Sequence, residues 1–276
     1  MLKIIGHAVL DNSFVVVVVV FMIVKLFIQL SIIMLSYPCF NILGQNSKHI
    51  RMKIGIIGGT GGMGEGFALR WCINHDIILG SRDKQRAQSV AENHMNAIKN
   101  TPLSEKITGS ISGDDNLSVA KNSEILILSI PYENIQSTCK DIETVINSDC
   151  IVVSPIVPMG KNQDGFYYIP FVEENKSAGA LVGENLPNCN KVVSAFHTIS
   201  EVKLKNIESS LNADTFICTD NKESLQTLNS LISEIDGLRS VYLGPLSLSY
   251  QAEVMTPMIL NASKQNELKH PGIKLV

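Results

Sequence analysis

The stretch that decides the fold is KIGIIGGTGGMGEG, residues 53–66. It opens with a short apolar run that predicts a β-strand. The turn after this strand has the spacing Gly59-x-Gly61-x-x-Gly64, and apolar residues at helical spacing follow. Strand, glycine turn and helix in this order are typical of a dinucleotide-binding unit, because glycines let the backbone approach a pyrophosphate and the helix start offers free N–H groups. A tight turn without a ligand is the alternative.

The end of the second predicted strand indicates which dinucleotide binds. Residues 76–80 form this strand, Ser81 and Arg82 follow it, and Lys84 and Arg86 are close behind. NAD sites usually place an acidic residue here to hold the ribose 2′-hydroxyl, whereas arginine accommodates a 2′-phosphate. We therefore expect NADP, with hydroxyl and guanidinium groups on its phosphate. A solvated basic start of the next helix would also explain the pattern.

Further strands and helices alternate to the end of the chain. Apolar runs predict strands at 124–131, 150–158, 191–196, 215–219 and 240–244. Such runs suit a parallel sheet covered on both faces, so the predicted fold class is α/β, a doubly wound parallel sheet of the Rossmann NADP-binding type. We expect the Rossmann domain at residues 52–199 and a small C-terminal α/β domain at 200–276.

Three strand tips are expected to surround the nicotinamide. They are Ser129-Ile130-Pro131, Ser154-Pro155 and His197-Thr198. In open parallel sheets, ligands bind beyond the carboxyl ends of the strands. The sequence therefore predicts that these tips lie together on one pocket.

An apolar segment precedes the strand that starts the fold. Residues 14–35 are long enough to cross a bilayer. Against this, Lys25 lies near the middle, where a charge costs about 2.5–3.5 kcal/mol on insertion scales, and a run of valines favours strand over helix. Residues 1–51 are thus an N-terminal extension with two interpretations. It is either a membrane segment that keeps the next domain in the cytoplasm or a mis-assigned start ahead of Met52, which we favour.

Composition excludes several classes of function. The 276 residues are 45% hydrophobic, enough for a full core, and the net charge is −3. Beyond residue 51 there are 19 basic and 25 acidic residues, a net charge of −6, so no nucleic-acid partner is expected. The six cysteines show no C-x-x-C pair and no metal-ligand spacing. They are expected to be reduced, mostly buried thiols, and no metal site is predicted.

Seven short motifs follow one another along the chain: GGTGGMG, GSR, ILSIPYE, VVSPIVP, VVSAFHTIS, SEIDGL and GPLSLS. On these motifs, residues 52–276 resemble the archaeal NADPH-dependent coenzyme F420 reductases (F420:NADP oxidoreductases). The resemblance to the oxidoreductase domain of the STEAP ferric reductases is more distant. Members of the F420 reductase family typically begin within a residue or two of the first strand, which favours Met52 as the start.

The resemblance implies a set of contact residues. For the dinucleotide these are Gly59, Thr60, Gly61, Gly62, Met63, Gly64, Ser81, Arg82, Arg86, Ile130 and Val157. The segment His197-Thr198-Ile199, with the backbone near Glu201, would lie where nicotinamide meets deazaflavin. The substrate-side candidates are His197, Ile199, Tyr250 and Thr256. Taken alone, His197 is as well explained by hydrogen bonds at a strand end.

Four positions depart from the family pattern. Tyr250 replaces an arginine and Val254 a serine. Ser200 and Glu201 replace a proline and an alanine, while Glu253 matches. Because tyrosine carries no charge, the affinity for an anionic deazaflavin is expected to depend less on salt than in arginine-bearing relatives. The alternative is that Tyr250 packs against its helix and contacts no ligand.

The sequence thus predicts an NADP(H)-dependent oxidoreductase that transfers hydride between NADPH and coenzyme F420. No acid or base side chain is strictly required, because the hydride passes directly between ring carbons. The alternatives are an NADPH-dependent flavin or ferric reductase and a non-catalytic NADP-sensing domain. A cytoplasmic location is expected, with a homodimer as one option.

Overall fold

The computed structural model describes residues 50–170 and 177–276. The strands in these ranges are β1 (Lys53–Ile57), β2 (Asp76–Ser81), β3 (Ser110–Asp115), β4 (Ile125–Leu128), β5 (Ile151–Ser154), β6 (Met159–Lys161), β7 (Phe166–Tyr168), β8 (Val192–Ser194), β9 (Ala213–Cys218) and β10 (Leu238–Gly244). The helices are α1 (Gly62–Trp71), α2 (Lys84–Lys99), α3 (Asn116–Asn122), α4 (Ile135–Ile142), α5 (Ala178–Asn185), α6 (Glu201–Lys205), α7 (Lys222–Ser233), α8 (Ser249–Glu253) and α9 (Met255–Gln265).

Eight strands form one sheet in the order β10-β9-β8-β5-β4-β1-β2-β3, and β6 and β7 form a separate antiparallel hairpin. The pairs are parallel except β8–β9, which is antiparallel through Ser194 and Cys218. The chain leaves β1 toward β2 on one side and later returns to β4 on the other. This reversal of strand order is where open α/β sheets bind ligands beyond the strand ends.

Alternate residues of the strands enter two apolar clusters, one on each face of the sheet. In β4, Ile125 and Ile127 join the cluster that contains α1, α2 and α7, whereas Leu126 and Leu128 join the cluster that contains α3, α4 and α5. This period of two requires helices on both faces. The predicted doubly wound α/β class is confirmed.

The observed elements correct one sequence prediction and add features that the sequence did not predict. The strand predicted over 150–158 ends at Ser154, because Pro155 and Pro158 cannot donate ladder hydrogen bonds. Strand β3 and helix α3 were not predicted, since SISGDD is polar. Its polarity suits its place at the edge of the sheet. Antiparallel pairing of β9 was also not predicted.

The predicted division into domains remains a prediction, although β9 and β10 extend the same sheet across residue 200. Residues 50–276 cluster as one compact unit. The apolar segment 14–35 lies outside the described residues. In the described ranges, no helix is both long and apolar enough to cross a bilayer.

Candidate active site

The glycine turn after β1 is shaped by close backbone approach. Gly58 has φ +76°, a left-handed conformation that favours glycine. A Cβ on Gly64 would lie 2.5 Å from the Gly59 Cα, so only glycine lets α1 start this close to the turn. Gly61 caps α1 without a side-chain hydrogen bond. The first N–H groups of α1 therefore lack intrahelical partners and are available to an anion.

Aromatic packing fixes α1 against the tip of β8. Phe67 and Trp71 stack on α1 with ring centroids 4.8 Å apart, and the ring of Phe196 packs edge-on at 4.9 Å from Phe67. Phe196 is buried with φ +72°, a strained conformation for a side-chain-bearing residue. The turn and the β8 tip are therefore held as one unit.

A buried arginine attaches α1 to α6. The Arg70 guanidinium donates to the carbonyl oxygens of Leu204 at 2.7 Å, Lys203 at 3.0 Å and Asn206 at 2.8 Å. These carbonyls belong to the C-terminal end of α6, where partners within the helix are missing. Arg70 thereby sets the position of α6 beside the glycine turn. Nothing in the sequence pattern distinguished Arg70 from a surface helix residue.

At the end of β2, two arginines are exposed and unpaired. Lys84 pairs with Asp114 at 2.7 Å, and Asp83 caps α2 by accepting from the Arg86 N–H at 3.1 Å. Within the described ranges, the guanidinium groups of Arg82 and Arg86 have no ion-pair or hydrogen-bond partner. They are free to contact a phosphate where the sequence predicted one.

A cavity of about 790 Å³ opens at the strand ends. Its walls come from the ends of β4, β5 and β8, the start of α1, helix α9 and the residues after α9. The residues that line this cavity include Met63, Ile130, Pro131, Pro155, Val157, His197, Thr198, Ile199, Glu201, Thr256, Ile259, Leu260, Leu268, Lys269, His270 and Pro271. Ile130-Pro131, Pro155 and His197-Thr198 share this cavity, so the prediction that the three tips meet is confirmed.

His197 is a neutral, buried group of this cavity. Burial lowers its pKa to about 3, so the imidazole is uncharged near neutral pH and cannot serve as an acid there. Its Nε2 lies 3.3 Å from the Ser194 Oγ, while its Nδ1 has no hydrogen-bond partner. The buried Ser154 Oγ also lacks one. Buried polar atoms without partners are rare in proteins. His197 lines the cavity, and Ser154 is the last residue of β5, directly before the cavity residue Pro155.

Two residues from the C-terminal region stabilise this end of the site. The Thr256 hydroxyl donates to the His197 carbonyl at 2.7 Å, which joins α9 to the β8 tip. Glu253 is buried and accepts from the Ala178 N–H at 3.0 Å and the Tyr168 hydroxyl at 3.0 Å. Burial raises the pKa of Glu253 to about 7. Its contacts are internal, so Glu253 positions α5 and the β6–β7 hairpin rather than contacting the cavity.

Glu201 brings a negative charge to the start of α1. A Cβ added to Gly62 would overlap the Glu201 carboxylate. The same carboxylate pairs with Lys205 at 3.3 Å, and Lys205 lies 3.7 Å from Glu65. The resemblance implied only the backbone near Glu201. The structure adds its carboxylate, at the helix end that favours anions.

The structure divides the predicted contact residues into two groups. The cavity contains Met63, Ile130, Val157, His197, Ile199, Glu201 and Thr256. The glycine turn and the β2 end contain Gly59, Thr60, Gly61, Gly62, Gly64, Ser81, Arg82 and Arg86. Tyr250 is in neither group, because it lies on α8, where its hydroxyl accepts from the Gln251 amide at 3.2 Å.

These residues fit a dinucleotide phosphate ester. The glycine turn leaves space that side chains would fill, and the start of α1 offers N–H donors. Two unpaired arginines lie at the end of β2, the usual place for contacts to a 2′-phosphate. His197, which lines the cavity, has a buried Nδ1 without a hydrogen-bond partner. In the described part of the chain, no cluster of His, Cys, Asp and Glu is suited to a metal ion.

The cysteines of the described ranges are buried and form no disulfide. Burial raises the pKa of Cys72 and Cys139 to about 12 and that of Cys218 to about 11. Thiols with such pKa values are protonated and unreactive near neutral pH. The predicted burial of most cysteines is confirmed.

Comparison with known proteins identifies the family. Residues 53–158 match the profile described as NADP oxidoreductase coenzyme F420-dependent. The F420-dependent NADP reductase of Methanocaldococcus jannaschii is 32% identical over 228 residues, covering 81% of this chain and 98% of that protein. The enzyme of the same name from Methanothermobacter marburgensis is 27% identical over 226 residues, covering 81% and 98%.

A solved structure from Arthrobacter sp. FB24 supports the fold. It aligns with a TM-score of 0.63 at 16% identity and covers 82% of this chain and 99% of that one. At that identity the likeness concerns the fold alone. The identity and coverage of the Methanocaldococcus relative, together with the matching profile, show that this chain belongs to the F420-dependent NADP reductase family.

Proposed function

We propose that the protein transfers hydride between NADPH and coenzyme F420. The observation that carries this proposal is family membership, because the relative that is 32% identical is named an F420-dependent NADP reductase. The site supports it, since the glycine turn and free arginines on one side of β1 adjoin a cavity on the other side. A dinucleotide that spans β1 would place its nicotinamide at that cavity.

The chain's residues bind, orient and exclude water in this proposal. NADPH supplies the hydride. The N–H groups at the start of α1 bind the pyrophosphate, and Arg82 and Arg86 bind the 2′-phosphate. Met63, Ile130 and Val157 form the wall that holds the two rings together, as hydride transfer requires. The neutral His197 donates or accepts a hydrogen bond but carries no proton to the reaction.

A spectrophotometric assay of the full chain tests the proposal. NADPH is supplied with F420, free flavin or a ferric chelate in parallel reactions. We expect F420 to be reduced at least about ten times faster than the other acceptors, in the range of specificity that pocket contacts provide. Faster reduction of flavin or iron would favour the alternative reductase. NADPH binding without turnover of any acceptor would favour an NADP-sensing domain.

The location and assembly remain proposals as well. We expect a cytoplasmic protein and, as one option, a homodimer. Light scattering measures the mass in solution, and cell fractionation followed by peptide mapping locates the chain. Recovery of peptides from residues 14–35 in a membrane fraction would contradict the start at Met52 and would favour a membrane anchor.

A further inference from the structure

Residues 266–276, which follow α9, form a segment that we call the C-terminal strap. The strap folds back at once, because the Leu268 N–H donates to the Ser263 carbonyl at 3.0 Å. The Ser263 hydroxyl in turn donates to the Leu268 carbonyl at 2.7 Å. Glu267 and His270 have φ of +53° and +50°, the left-handed values of tight turns. The near end of the strap is therefore attached to α9.

The far end of the strap is attached to the start of β9. The Asp214 N–H donates to the Ile273 carbonyl, and the Asp214 Oδ2 accepts from the Leu275 N–H, both at 2.7 Å. Arg239 donates to the Asp214 Oδ1 at 2.8 Å and to the Leu275 carbonyl at 2.5 Å. The same arginine lowers the pKa of Asp214. Residues 268–271 thus line the cavity on a segment anchored at both ends.

The charged side chains that line the cavity belong to different elements. Glu201 lies beside α1, on the dinucleotide side. Lys269 and His270 lie on the strap, beside α9. Lys269 is exposed and, among the residues that the structure describes, has no ion-pair partner. Apolar side chains of α9, Ile259 and Leu260, line the cavity next to the strap.

We propose that the strap forms the acceptor end of the cavity and that Lys269 binds the anionic side chain of the acceptor. This inference rests on the proposed function, in which the acceptor is a deazaflavin ring with an anionic side chain. Apolar walls suit the ring, and an unpaired cation at the rim suits the side chain. The 2′-phosphate of NADP is a poor match for Lys269, since the residues proposed to bind it lie at the end of β2. Strands β1, β4, β5 and β8 separate β2 from β9, to which the strap is attached.

The test is equilibrium binding of F420 to the full chain without NADPH, followed by the fluorescence of the deazaflavin. Lys269→Gln removes the charge, and Lys264→Gln is the matched control, because Lys264 lies on α9 but does not line the cavity. We expect Lys269→Gln to raise the Kd for F420 about three- to five-fold at low ionic strength, as for exposed ion pairs. High salt should reduce this difference. Lys269→Arg should restore the affinity, and the Kd for NADPH should not change.

Binding of a neutral deazaflavin nucleoside shows whether Lys269→Gln acts through the lost charge or through a changed shape of the cavity. Its Kd should be the same for the unmodified chain and for Lys269→Gln. An equal increase in the Kd for F420 and for the neutral nucleoside would overturn the proposal. An unchanged Kd for F420 would also overturn it. In either case normal F420 reduction would leave the proposed function intact. If the unmodified chain neither binds nor reduces F420, the proposed function itself fails.

Discussion

The two halves of the site are built in different ways. The half proposed to bind the dinucleotide, here the dinucleotide half, comes mainly from one continuous stretch, β1 to the start of α2. Its close contacts are between backbone atoms, as between Gly59 and Gly64. The half proposed to bind the acceptor, here the acceptor half, is assembled from the tips of β4, β5 and β8, from α9 and from the strap. Local sequence therefore determines the first half, whereas tertiary packing determines the second.

The difference also concerns charge. The dinucleotide half presents the start of α1 and two unpaired arginines, but it holds the Glu201 carboxylate as well. The acceptor half is mostly apolar, with its cation on the strap. Variants in the first half should therefore change cofactor binding strongly, and single side chains in the second half should have smaller effects.

The largest effect is expected in the glycine turn. Gly64→Ala places a Cβ 2.5 Å from the Gly59 Cα. We expect a loss of about 3 kcal/mol in folding stability, the upper end for over-packed sites, together with loss of measurable NADPH binding. Thermal unfolding and NADPH titration measure the two quantities.

Gly61→Ala is the matched variant in the same turn. Its Cβ would lie 3.4 Å from the Gly58 carbonyl oxygen, and Gly61 has φ −91°, which any residue adopts. We expect an unchanged Tm and weaker NADPH binding, because the Cβ takes space that the phosphates approach. Equal Tm values for both variants would contradict this account of the turn.

The next effect concerns the choice of dinucleotide. Arg82→Ala should weaken NADPH binding by about 1.5–3 kcal/mol, the usual range for hydrogen bonds to charged groups, and change NADH binding little. Lys99→Ala, at the other end of α2, is the control and should alter neither. An equal loss of affinity for NADPH and for NADH would show that Arg82 does not contact the 2′-phosphate.

A smaller effect of opposite sign is expected from Glu201. Glu201→Gln keeps the shape and removes the carboxylate beside Gly62, so NADPH should bind about three-fold tighter at low salt. Glu208→Gln, at an exposed site that does not line the cavity, is the control. Fluorescence titration of NADPH at two ionic strengths measures both. Weaker binding to Glu201→Gln would mean that the carboxylate holds the cofactor.

The sequence predicted the elements that carry strong local patterns. Strands β1 and β2, helix α1 and the meeting of three strand tips follow from apolar runs, glycines and the rule for strand ends. Strand β3 was not predicted, because edge strands tolerate polar residues such as those of SISGDD and so lack the apolar pattern of a buried strand.

The residues that connect distant segments around the site could not be predicted from local patterns. Arg70 and Glu253 act through contacts to segments more than 70 residues away. Lys269 and His270 follow the last helix in a polar segment. The strap reaches the cavity through the contacts of Leu268 with α9 and of Ile273 and Leu275 with the start of β9. Such placements depend on tertiary structure, which no spacing rule encodes.

The smallest effect is expected at Tyr250, where the family pattern and the structure lead to different expectations. The resemblance places an arginine here, facing the second substrate, whereas the Tyr250 side chain does not line the cavity. If Lys269 supplies the positive charge that binds the acceptor, Tyr250→Arg should change the Kd for F420 by less than about two-fold, within the range of surface substitutions.

The measurement is F420 titration at low and high salt for Tyr250→Arg, Lys269→Gln and the double variant. If the changes in binding free energy of the two single variants add up in the double variant, the two positions act independently. A steeper salt dependence in Tyr250→Arg, with recovery of the affinity lost in Lys269→Gln, would instead mean that both positions reach the same anionic group.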